Sequence, residues 1–327
     1  MTLRFGRRTV LQLSAAALAL SFVGLAPARA ADPTVAVIVK DTTSFFFQII
    51  LAGARKAGKE LGVNISELGM ASEADVAGQI SVLENAVAAK PVAIIIAPVD
   101  YKALGAPMDE AAKSVPIIGI DSSADSKAFS SFLTTDNEAG GRIAADGLAA
   151  AIKAKTGKIA GDVAIITKLP NAGSLEARKK GFIEQLAAKY PDLHLVADKY
   201  ADGQATTGLN IATDLITANP NLVGIFASNL IMAQGVGQAV AENKVADKLA
   251  LVTFDSDDKT VGFLADGTIA ALVVQDPFRM GYDGVKTALA VSKGEKVPAN
   301  IDTGANLVTK ANMNDPKIDA LIHPKVK

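Results

Sequence analysis

The sequence contains no cysteine and no tryptophan, and its 327 residues include only two histidines. The absence of cysteine excludes disulfides, thiol nucleophiles and thiolate metal sites. The two histidines, His194 and His323, are far apart and belong to no H-x-x-x-H or Ser-His-Asp pattern. A G-x-x-x-x-G-K-[ST] phosphate-binding loop is also missing. We therefore predict that the chain is not an enzyme and carries no cofactor, no metal and no catalytic residue.

The N-terminus has the pattern of an export signal. Residues 1–10 carry Arg4, Arg7 and Arg8 and no acid, an apolar stretch follows, and ARA at 28–30 is an A-x-A cleavage site. The pair Arg7-Arg8 followed by TVLQ resembles a twin-arginine signal, and an ordinary Sec signal is the alternative. We predict that residues 1–30 are removed on export to the periplasm.

Loss of this segment changes the charge of the chain. It takes away four arginines and no acid, so the formal net charge falls from −1 to −5. A mildly acidic chain has no footprint for a polyanion, so we predict no nucleic-acid partner. No second apolar run of 18 or more residues follows, so the mature chain is not expected to span a membrane.

Short apolar segments alternate with alanine-rich amphipathic segments along the mature chain. Their continuous apolar character predicts strands buried on both faces, which is typical of parallel βαβ units flanked by helices. The pattern runs to about residue 121 and then restarts, which indicates an α/β fold of two Rossmann-like lobes with a cleft between them. The predicted strands cover 34–39, 63–68, 92–98, 115–121, 162–167, 193–198, 222–228, 249–255 and 268–275, and the predicted helices include 48–62, 73–89, 137–157 and 174–190.

Polar side chains stand at the ends of the predicted strands, where ligands of parallel sheets bind. They are Lys40, Ser44, Asp121, Ser122, Asp136, Asn137, Asn229, Asp255 and Gln275, with Arg178 in the first turns of the helix after AIIT. Each one alone is better explained by a helix cap or a turn. Together they supply the donors and acceptors that match the hydroxyl groups of a sugar.

Three consecutive phenylalanines, Phe45, Phe46 and Phe47, follow the first of these strand ends. An aromatic ring covers the apolar C–H face of a sugar while the hydroxyl rim meets polar groups. Successive helical residues point about 100° apart, so the three rings cannot all face one direction. We expect Phe45 to pack in the core and Phe46 and Phe47 to stack on a ligand; packing of all three in the core is the alternative.

The whole mature chain resembles the periplasmic sugar-binding proteins of ABC transporters, in the ribose- and allose-binding group. The resemblance rests on the order and spacing of VIVKDTTSFFF, IAPVD, IIGIDSS, FLTTDNEAGG, VAIITKLPNAGSLEARKKGF, GIFASNLIMAQGVGQA, LVTFD and AALVVQDPFRMGYDGV. It implies two lobes joined by three hinge strands, with crossings near Thr135–Asp136, near Gln275 and near 303–306. The lobes are then 31–135 plus 276–304 and 136–275 plus 305–327.

The same resemblance implies a pocket. Phe46 and Phe47 match the paired stacking aromatics, Lys40 matches a lysine of allose-like members, and Asp121 matches the first-lobe aspartate. Arg178, Asn229, Asp255 and Gln275 match the polar ligands of the second lobe and hinge. Three positions depart from the ribose pattern: Ser44 replaces an asparagine, Ser122 an arginine and Gly203 an aromatic residue. Tyr200 or Gln204 could partly fill the space beside Gly203.

The resemblance therefore implies a monosaccharide or polyol receptor that is monomeric and docks on an ABC permease. The identity of the sugar does not follow, because the departures change the shape and donor count of the pocket. A receptor presenting sugar to a chemoreceptor or sensor kinase is the alternative, since it shares the whole fold. Asp121 and Asp255 could also be a glycosidase carboxylate pair, but the resemblance implies that they accept bonds from ligand hydroxyls.

Overall fold

The computed structural model describes residues 32–326. The predicted export signal at 1–30 lies outside the described residues. The chain begins with β1 (Thr34–Val39), α1 (Phe45–Leu61), β2 (Asn64–Gly69), α2 (Val76–Ala88), β3 (Ala93–Ile96), α3 (Gly105–Ala111), β4 (Ile117–Ile120) and β5 (Phe129–Thr134). It continues with α4 (Asn137–Thr156), β6 (Gly161–Thr167), α5 (Gly173–Lys189), β7 (Leu193–Tyr200), α6 (Ala205–Ala218), β8 (Leu222–Ala227), α7 (Leu230–Glu242), β9 (Ala250–Phe254), α8 (Asp258–Asp266) and β10 (Ala271–Gln275). The last elements are α9 (Pro277–Ser292), β11 (Asn300–Asp302), β12 (Ala305–Val308) and α10 (Pro316–Ile322).

Within residues 32–326 the strands form two sheets of six strands each. The first has the order β11-β5-β4-β3-β1-β2 with every neighbouring pair parallel. The second has the order β12-β10-β9-β8-β6-β7 and is parallel except at the β10–β12 edge. We call the first sheet with α1, α2, α3 and α9 the first lobe, and the second sheet with the other helices the second lobe. The predicted two-lobe α/β fold is confirmed.

The chain crosses between the lobes at three places, after β5, after β10 and after β11. Two of the crossings are bonded to each other. The Thr303 amide donates to the Thr134 carbonyl oxygen at 2.9 Å, and the Thr135 hydroxyl donates to the Gly304 carbonyl oxygen at 3.2 Å. The three predicted hinge strands are therefore present, while the residue limits predicted for each lobe stay a prediction.

Helix boundaries follow the local chemistry of the caps. Gly62 and Gly157 end α1 and α4 in the left-handed conformation, with φ of 66° and 80°, which glycine adopts without steric cost. The helix predicted at 73–89 begins only at Val76, because the Asp75 carboxylate caps it by accepting from the Gly78 amide. Glu73 consequently lies in the loop before α2.

The central strands are apolar on both faces and mostly fully buried, and helices cover the sheets from either side. The edge strands β2, β7 and β11 are partly exposed, so the prediction of burial on both faces is wrong for β2 and β7. Because the sheets are parallel, the carboxyl ends of their strands share one edge in each lobe, and these two edges face each other. Among the helices described between residues 32 and 326, none is both long and apolar enough to cross a bilayer.

Candidate ligand-binding cleft

A cavity lies where the carboxyl ends of the two sheets meet. Nine of the ten predicted site residues line it: Lys40, Ser44, Phe46, Phe47, Asp121, Arg178, Asn229, Asp255 and Gln275. Ser122 lies behind this wall and bonds to the residues that form it. The structure therefore brings the predicted residues of both lobes together.

The aromatic pair forms one side of the cavity. Phe46 and Phe47 are 8% and 3% exposed, and their rings meet edge to face with centroids 5.2 Å apart. Both rings also belong to the core of the first lobe, so they are fixed by packing as well as placed beside the cavity. Phe45 packs against the same cluster but is only partly buried. Ser44 occupies the N-cap position of α1, yet its side chain makes no capping bond.

Asp121 and Asp255 occupy equivalent places in the two lobes. Each follows a strand, and each adopts a left-handed backbone with φ of 61° and 68°. The amide of Asp121 donates to Leu133 at 3.1 Å and that of Asp255 donates to Val273 at 2.8 Å. A left-handed non-glycine residue is uncommon, and aspartate is one of the residue types that adopts this conformation most readily. Here the tight turn holds each carboxylate at the cavity wall.

Arg178 is held rigidly on α5. Its Nε donates to Asn137 Oδ1 at 2.8 Å, its Nη1 donates to the Ser228 carbonyl oxygen at 3.0 Å, and its guanidinium lies 3.7 Å from the centroid of Phe254. The residue is 2% exposed. Burial lowers the pKa of Arg178, and the carboxylates of Asp255, Asp121 and Glu73 oppose that change. Fixed donors of this kind lose little entropy when they bind a ligand.

The position of Arg178 depends on close approach of α4 and α5. A Cβ added to Gly141 of α4 would lie 2.0 Å from the Arg178 carbonyl oxygen, and one added to Gly181 of α5 would lie 2.0 Å from the Glu138 carbonyl oxygen. Both glycines are therefore required by the contact between the two helices. The same contact places Asn137, at the start of α4, where its side chain accepts from Arg178 and orients the guanidinium.

Asp255 and Gln275 form the second polar group of the second lobe. Gln275 Nε2 donates to Asp255 Oδ1 at 2.6 Å, and Asp255 Oδ2 lies 3.9 Å from Arg178 Nη1. Burial raises the pKa of Asp255 above its ordinary value, and Arg178 and Gln275 act in the opposite direction. Gln275 Oε1 is buried and accepts no hydrogen bond within the described residues. A buried acceptor without a donor is costly, so this oxygen suits a ligand hydroxyl.

In the first lobe, Lys40 anchors a chain of polar contacts. Its Nζ lies 2.6 Å from Asp121 Oδ2 and donates to Ser122 Oγ at 2.5 Å. Ser122 Oγ in turn lies 2.7 Å from Ser174 Oγ, which belongs to the second lobe. Ser122, predicted as a ligand residue, is thus placed to orient Lys40 and to join the lobes.

Asn229 has two roles in this structure. Its Oδ1 accepts from the Met232 amide at 3.2 Å and caps α7, and the residue also lines the cavity. The capping alternative weighed for this residue is therefore correct without excluding the ligand role.

Several lining residues were not found from the sequence. They are Glu73, Ser174, Leu175, Leu230 and Ile231. Leu230 packs in the same cluster as Phe46 and Phe47 although it belongs to the second lobe. Leu175, Leu230 and Ile231 add apolar surface to the cavity wall. Neither Tyr200 nor Gln204, expected to fill part of the space beside Gly203, lines the cavity; Tyr200 is 36% exposed and its hydroxyl donates to Glu176.

The charges around the cavity are balanced. Lys40 and Arg178 face Asp121 and Asp255, and Glu73 pairs with Lys168 at 2.9 Å. Each of these groups is buried or nearly so. Burial of an uncompensated charge is strongly unfavourable, so a cavity whose own charges are paired favours a neutral ligand.

Comparison with known proteins shows the family to which the chain belongs. Residues 35–296 match the family of the periplasmic binding protein domain, and this range contains every predicted site residue. The chain belongs to this family. The ribose import binding protein RbsB of Salmonella typhimurium is 32% identical over 296 residues, which cover 90% of this chain and 96% of that protein. The D-allose-binding periplasmic protein of Escherichia coli is 31% identical over 270 residues, covering 80% and 85%.

Solved structures of the same fold hold sugars. A carbohydrate transporter solute-binding protein from Agrobacterium radiobacter in complex with D-arabinose has a TM-score of 0.89 and 75% identity, covering 90% of this chain and 99% of that one. An ABC transporter solute-binding protein from Agrobacterium vitis with bound D-fucose has a TM-score of 0.84 and 37% identity, covering 89% and 100%. The predicted resemblance to ABC-transporter sugar-binding proteins is confirmed, and these relatives are binding proteins rather than enzymes.

Proposed function

We propose that this periplasmic binding protein captures a neutral monosaccharide or related polyol in the cavity between its lobes and delivers it to an ABC permease after export to the periplasm. The observation that carries the proposal is the cavity itself: paired charges, hydrogen-bond donors and acceptors at its wall, and two phenylalanine rings on one side. The ribose, allose, arabinose and fucose proteins to which the chain is similar support the same ligand class.

The polar residues divide into donors and acceptors suited to hydroxyl groups. Arg178 and Lys40 donate, the carboxylates of Asp121 and Asp255 accept, and Gln275 and Asn229 can do both. Hydrogen bonds to charged groups contribute about 1.5–3 kcal/mol each, so a few of them account for micromolar affinity, about −8 kcal/mol. Phe46 and Phe47 cover the C–H face of the ring.

A phosphorylated sugar, a sugar acid or an amino acid fits this cavity less well. Each carries at least one full charge, and each cation of the cavity already has a carboxylate partner. An added anion lacks an unpaired cation, and an added cation lacks an unpaired carboxylate, so either one enters at a desolvation cost. Neutrality of the ligand is therefore the most specific part of the proposal.

Binding is coupled to closure in this account. The site residues come from both lobes, and three hinge strands connect them, so a ligand can bridge the lobes only when they approach each other. Closure removes water from Arg178, Asp121 and Asp255 and strengthens their bonds to the ligand. The closed form then offers the permease a surface that the open form lacks.

A thermal-shift screen of the mature chain tests the ligand class. The panel contains D-arabinose, D-ribose, D-allose, D-fucose, alditols, D-ribose 5-phosphate and amino acids. A ligand that binds the folded state raises the melting temperature by mass action. We expect a rise with at least one neutral sugar or alditol and none with the phosphate. A rise with an amino acid alone contradicts the proposal.

Delivery to a permease needs a cellular test. We expect uptake of the ligand identified in the screen to fall in cells that lack this chain and to return when it is restored. Unchanged uptake together with loss of chemotaxis toward the same sugar would instead support the sensing alternative.

A further inference from the structure

A buried ion pair joins the two lobes beside the ligand cavity. Glu73 Oε1 lies 2.9 Å from Lys168 Nζ, and the two side chains are 11% and 3% exposed. Glu73 belongs to the loop between β2 and α2 of the first lobe, whereas Lys168 directly follows β6 of the second lobe. Because the partners sit on different lobes, separation of the lobes breaks the pair.

The pair stands between two cavities. Glu73 lines the ligand cavity and also a second cavity, which Lys168 lines as well. Thr43 and Gln204, both exposed, are part of the wall of the second cavity, so this cavity lies at the molecular surface. Gly203 lies beside Lys168, since a Cβ added there would lie at an ordinary contact distance of 3.8 Å from its Cε.

The segment that follows Lys168 also docks on the first lobe. The Asn171 carbonyl oxygen accepts from the Tyr101 amide at 2.9 Å, and the Ser174 hydroxyl lies 2.7 Å from that of Ser122. A Cβ added to Gly173 would lie 2.8 Å from Ser123 Oγ, so the backbone approaches the first lobe closely here. Residues 168–174 therefore form a strap across the cleft, with Lys168 at its start.

We propose that the Glu73–Lys168 ion pair is the gate of the ligand cavity, a positioning pair that holds the closed state and slows ligand release toward the second cavity. This inference rests on the proposed function for the identity of the ligand. The pair forms only in the closed state, so it adds stability to that state and not to the open one. A desolvated charge pair across an interface acts mainly on the dissociation rate.

Stopped-flow kinetics on a double-mutant cycle tests the gate. The variants are Glu73→Gln, Lys168→Met and the two combined, with the neutral sugar found in the screen as ligand. We expect each single variant to raise the dissociation rate about tenfold or more with an association rate near wild type. The combined variant should release ligand no faster than the faster single variant, because one interaction has been removed in all three. Lys168→Arg, which keeps the pair, should remain close to wild type.

A matched control uses an exposed ion pair of the first lobe, to which Glu73 also belongs. Lys113 and Glu110 lie 2.6 Å apart on the surface, with side chains 68% and 74% exposed. Glu110→Gln should leave both rates unchanged. An increase in dissociation rate with Glu73→Gln but not with Lys168→Met would show that Glu73 acts on the ligand alone and would overturn the pair as the gate.

A second readout does not depend on the ligand. The chain has no cysteine, so Lys59→Cys on the first lobe and Lys248→Cys on the second allow specific labelling for distance measurement. We expect Glu73→Gln and Lys168→Met to shift the ligand-free distribution toward longer distances. Unchanged distances and unchanged release rates overturn the gate. If the wild type binds no sugar, the proposed function fails, and the distances alone decide whether the pair holds the lobes together.

Discussion

Arg178 is the residue on which the second-lobe side of the site depends. Its guanidinium lies over Phe254, bonds to Asn137 and Ser228, and is the cation nearest to the Asp255 carboxylate in the described site. A ligand hydroxyl that meets this group finds donors already fixed in place. This placement lowers the stability of the fold, because burial disfavours the charged guanidinium and lowers its pKa.

Replacement of Arg178 by alanine should weaken both binding and folding. It removes the donors and leaves Asp255 buried without its cation, a change that costs about 3–5 kcal/mol for a buried pair. We expect at least tenfold weaker sugar affinity by calorimetry and a lower free energy of unfolding in urea. Arg142→Ala is the control, because Arg142 and Glu138 form an exposed pair at 3.8 Å. Affinity near wild type in Arg178→Ala would exclude this residue from the site.

The raised pKa of Asp255 leads to a prediction about how sugar affinity depends on pH. Burial raises its pKa, so it takes up a proton at a higher pH than an ordinary aspartate. Protonation removes an acceptor, and sugar affinity should therefore decrease as pH falls through the raised pKa. The effect on folding has the opposite direction. The free energy of unfolding is lowered above the raised pKa, where Asp255 is ionised, and it increases as pH falls through that pKa.

Titration calorimetry between pH about 4 and 8 measures this effect on affinity. Asp255→Asn should bind more weakly at the upper end of the range and should lose most of the pH dependence. A wild-type affinity that stays constant over the whole range would show that the charge of Asp255 plays no part in binding.

The aromatic pair needs a substitution that spares the core. Phe46 and Phe47 pack in the first-lobe cluster, and truncation of a buried phenylalanine to alanine costs about 3–5 kcal/mol. Phe46→Leu combined with Phe47→Leu keeps apolar volume but removes both rings. We expect a folded protein with at least tenfold weaker sugar binding. Phe182→Leu, in the core of the second lobe, should lower stability and leave affinity unchanged.

Among residues, the sequence pattern found side chains that follow strands and missed those placed by tertiary contact. Lys40, Asp121, Asp255 and Gln275 could be found because a polar residue after a buried strand lies at the sheet edge. Lys168 also follows a strand, β6. Its ion pair with Glu73 could not be found from the sequence, because the two residues lie on different lobes. Glu73 fell within a predicted helix, where an acid indicates the first turn rather than a cleft.

Among the elements, the contact of α4 with α5 has the clearest effect on the site. The helices approach closely enough that Gly141 faces the carbonyl of Arg178. This contact carries Arg178 to the cavity and keeps Asn137 within bonding distance of it. No pattern in the sequence indicated which glycine serves a helix contact and which serves a turn.

Gly141→Ala should disturb this contact. The added methyl group meets backbone 2.0 Å away, and overpacking of this kind costs about 1–3 kcal/mol. We expect lower stability in urea and weaker sugar affinity through a displaced Arg178. Gly262→Ala is a matched control within α8, where an added Cβ has nothing within 4 Å, and it should raise stability by about 0.5–1 kcal/mol. Equal behaviour of the two variants would contradict the steric account.

Most strands were predictable as short apolar runs, and most helices as the alanine-rich amphipathic segments between them. The C-terminal segment was less so. α10 is short, begins after the Asp315 cap and buries Ile322 in the second-lobe core. The short strands β11 and β12 owe their structure to partners elsewhere in the chain.

At the scale of the whole molecule, the order of strands and helices predicted two α/β lobes, and the structure has them. The order of strands and helices does not predict how closely the two lobes approach each other. Contacts such as Ser122–Ser174 and Glu73–Lys168 join residues distant in sequence, and they exist only because the three hinge strands allow the lobes to meet. The site is thus a property of the assembled lobes, although most of its residues belong to recognisable local patterns.

The most direct test of the account is isothermal titration calorimetry of the mature chain with neutral sugars and their charged counterparts. The account predicts that at least one of D-arabinose, D-ribose, D-allose and D-fucose binds with one site per chain and micromolar or tighter affinity. It also predicts no measurable heat with D-ribose 5-phosphate. Tight binding of the phosphate, with no binding of any neutral sugar or alditol, would contradict the central claim of a charge-balanced site for a neutral ligand.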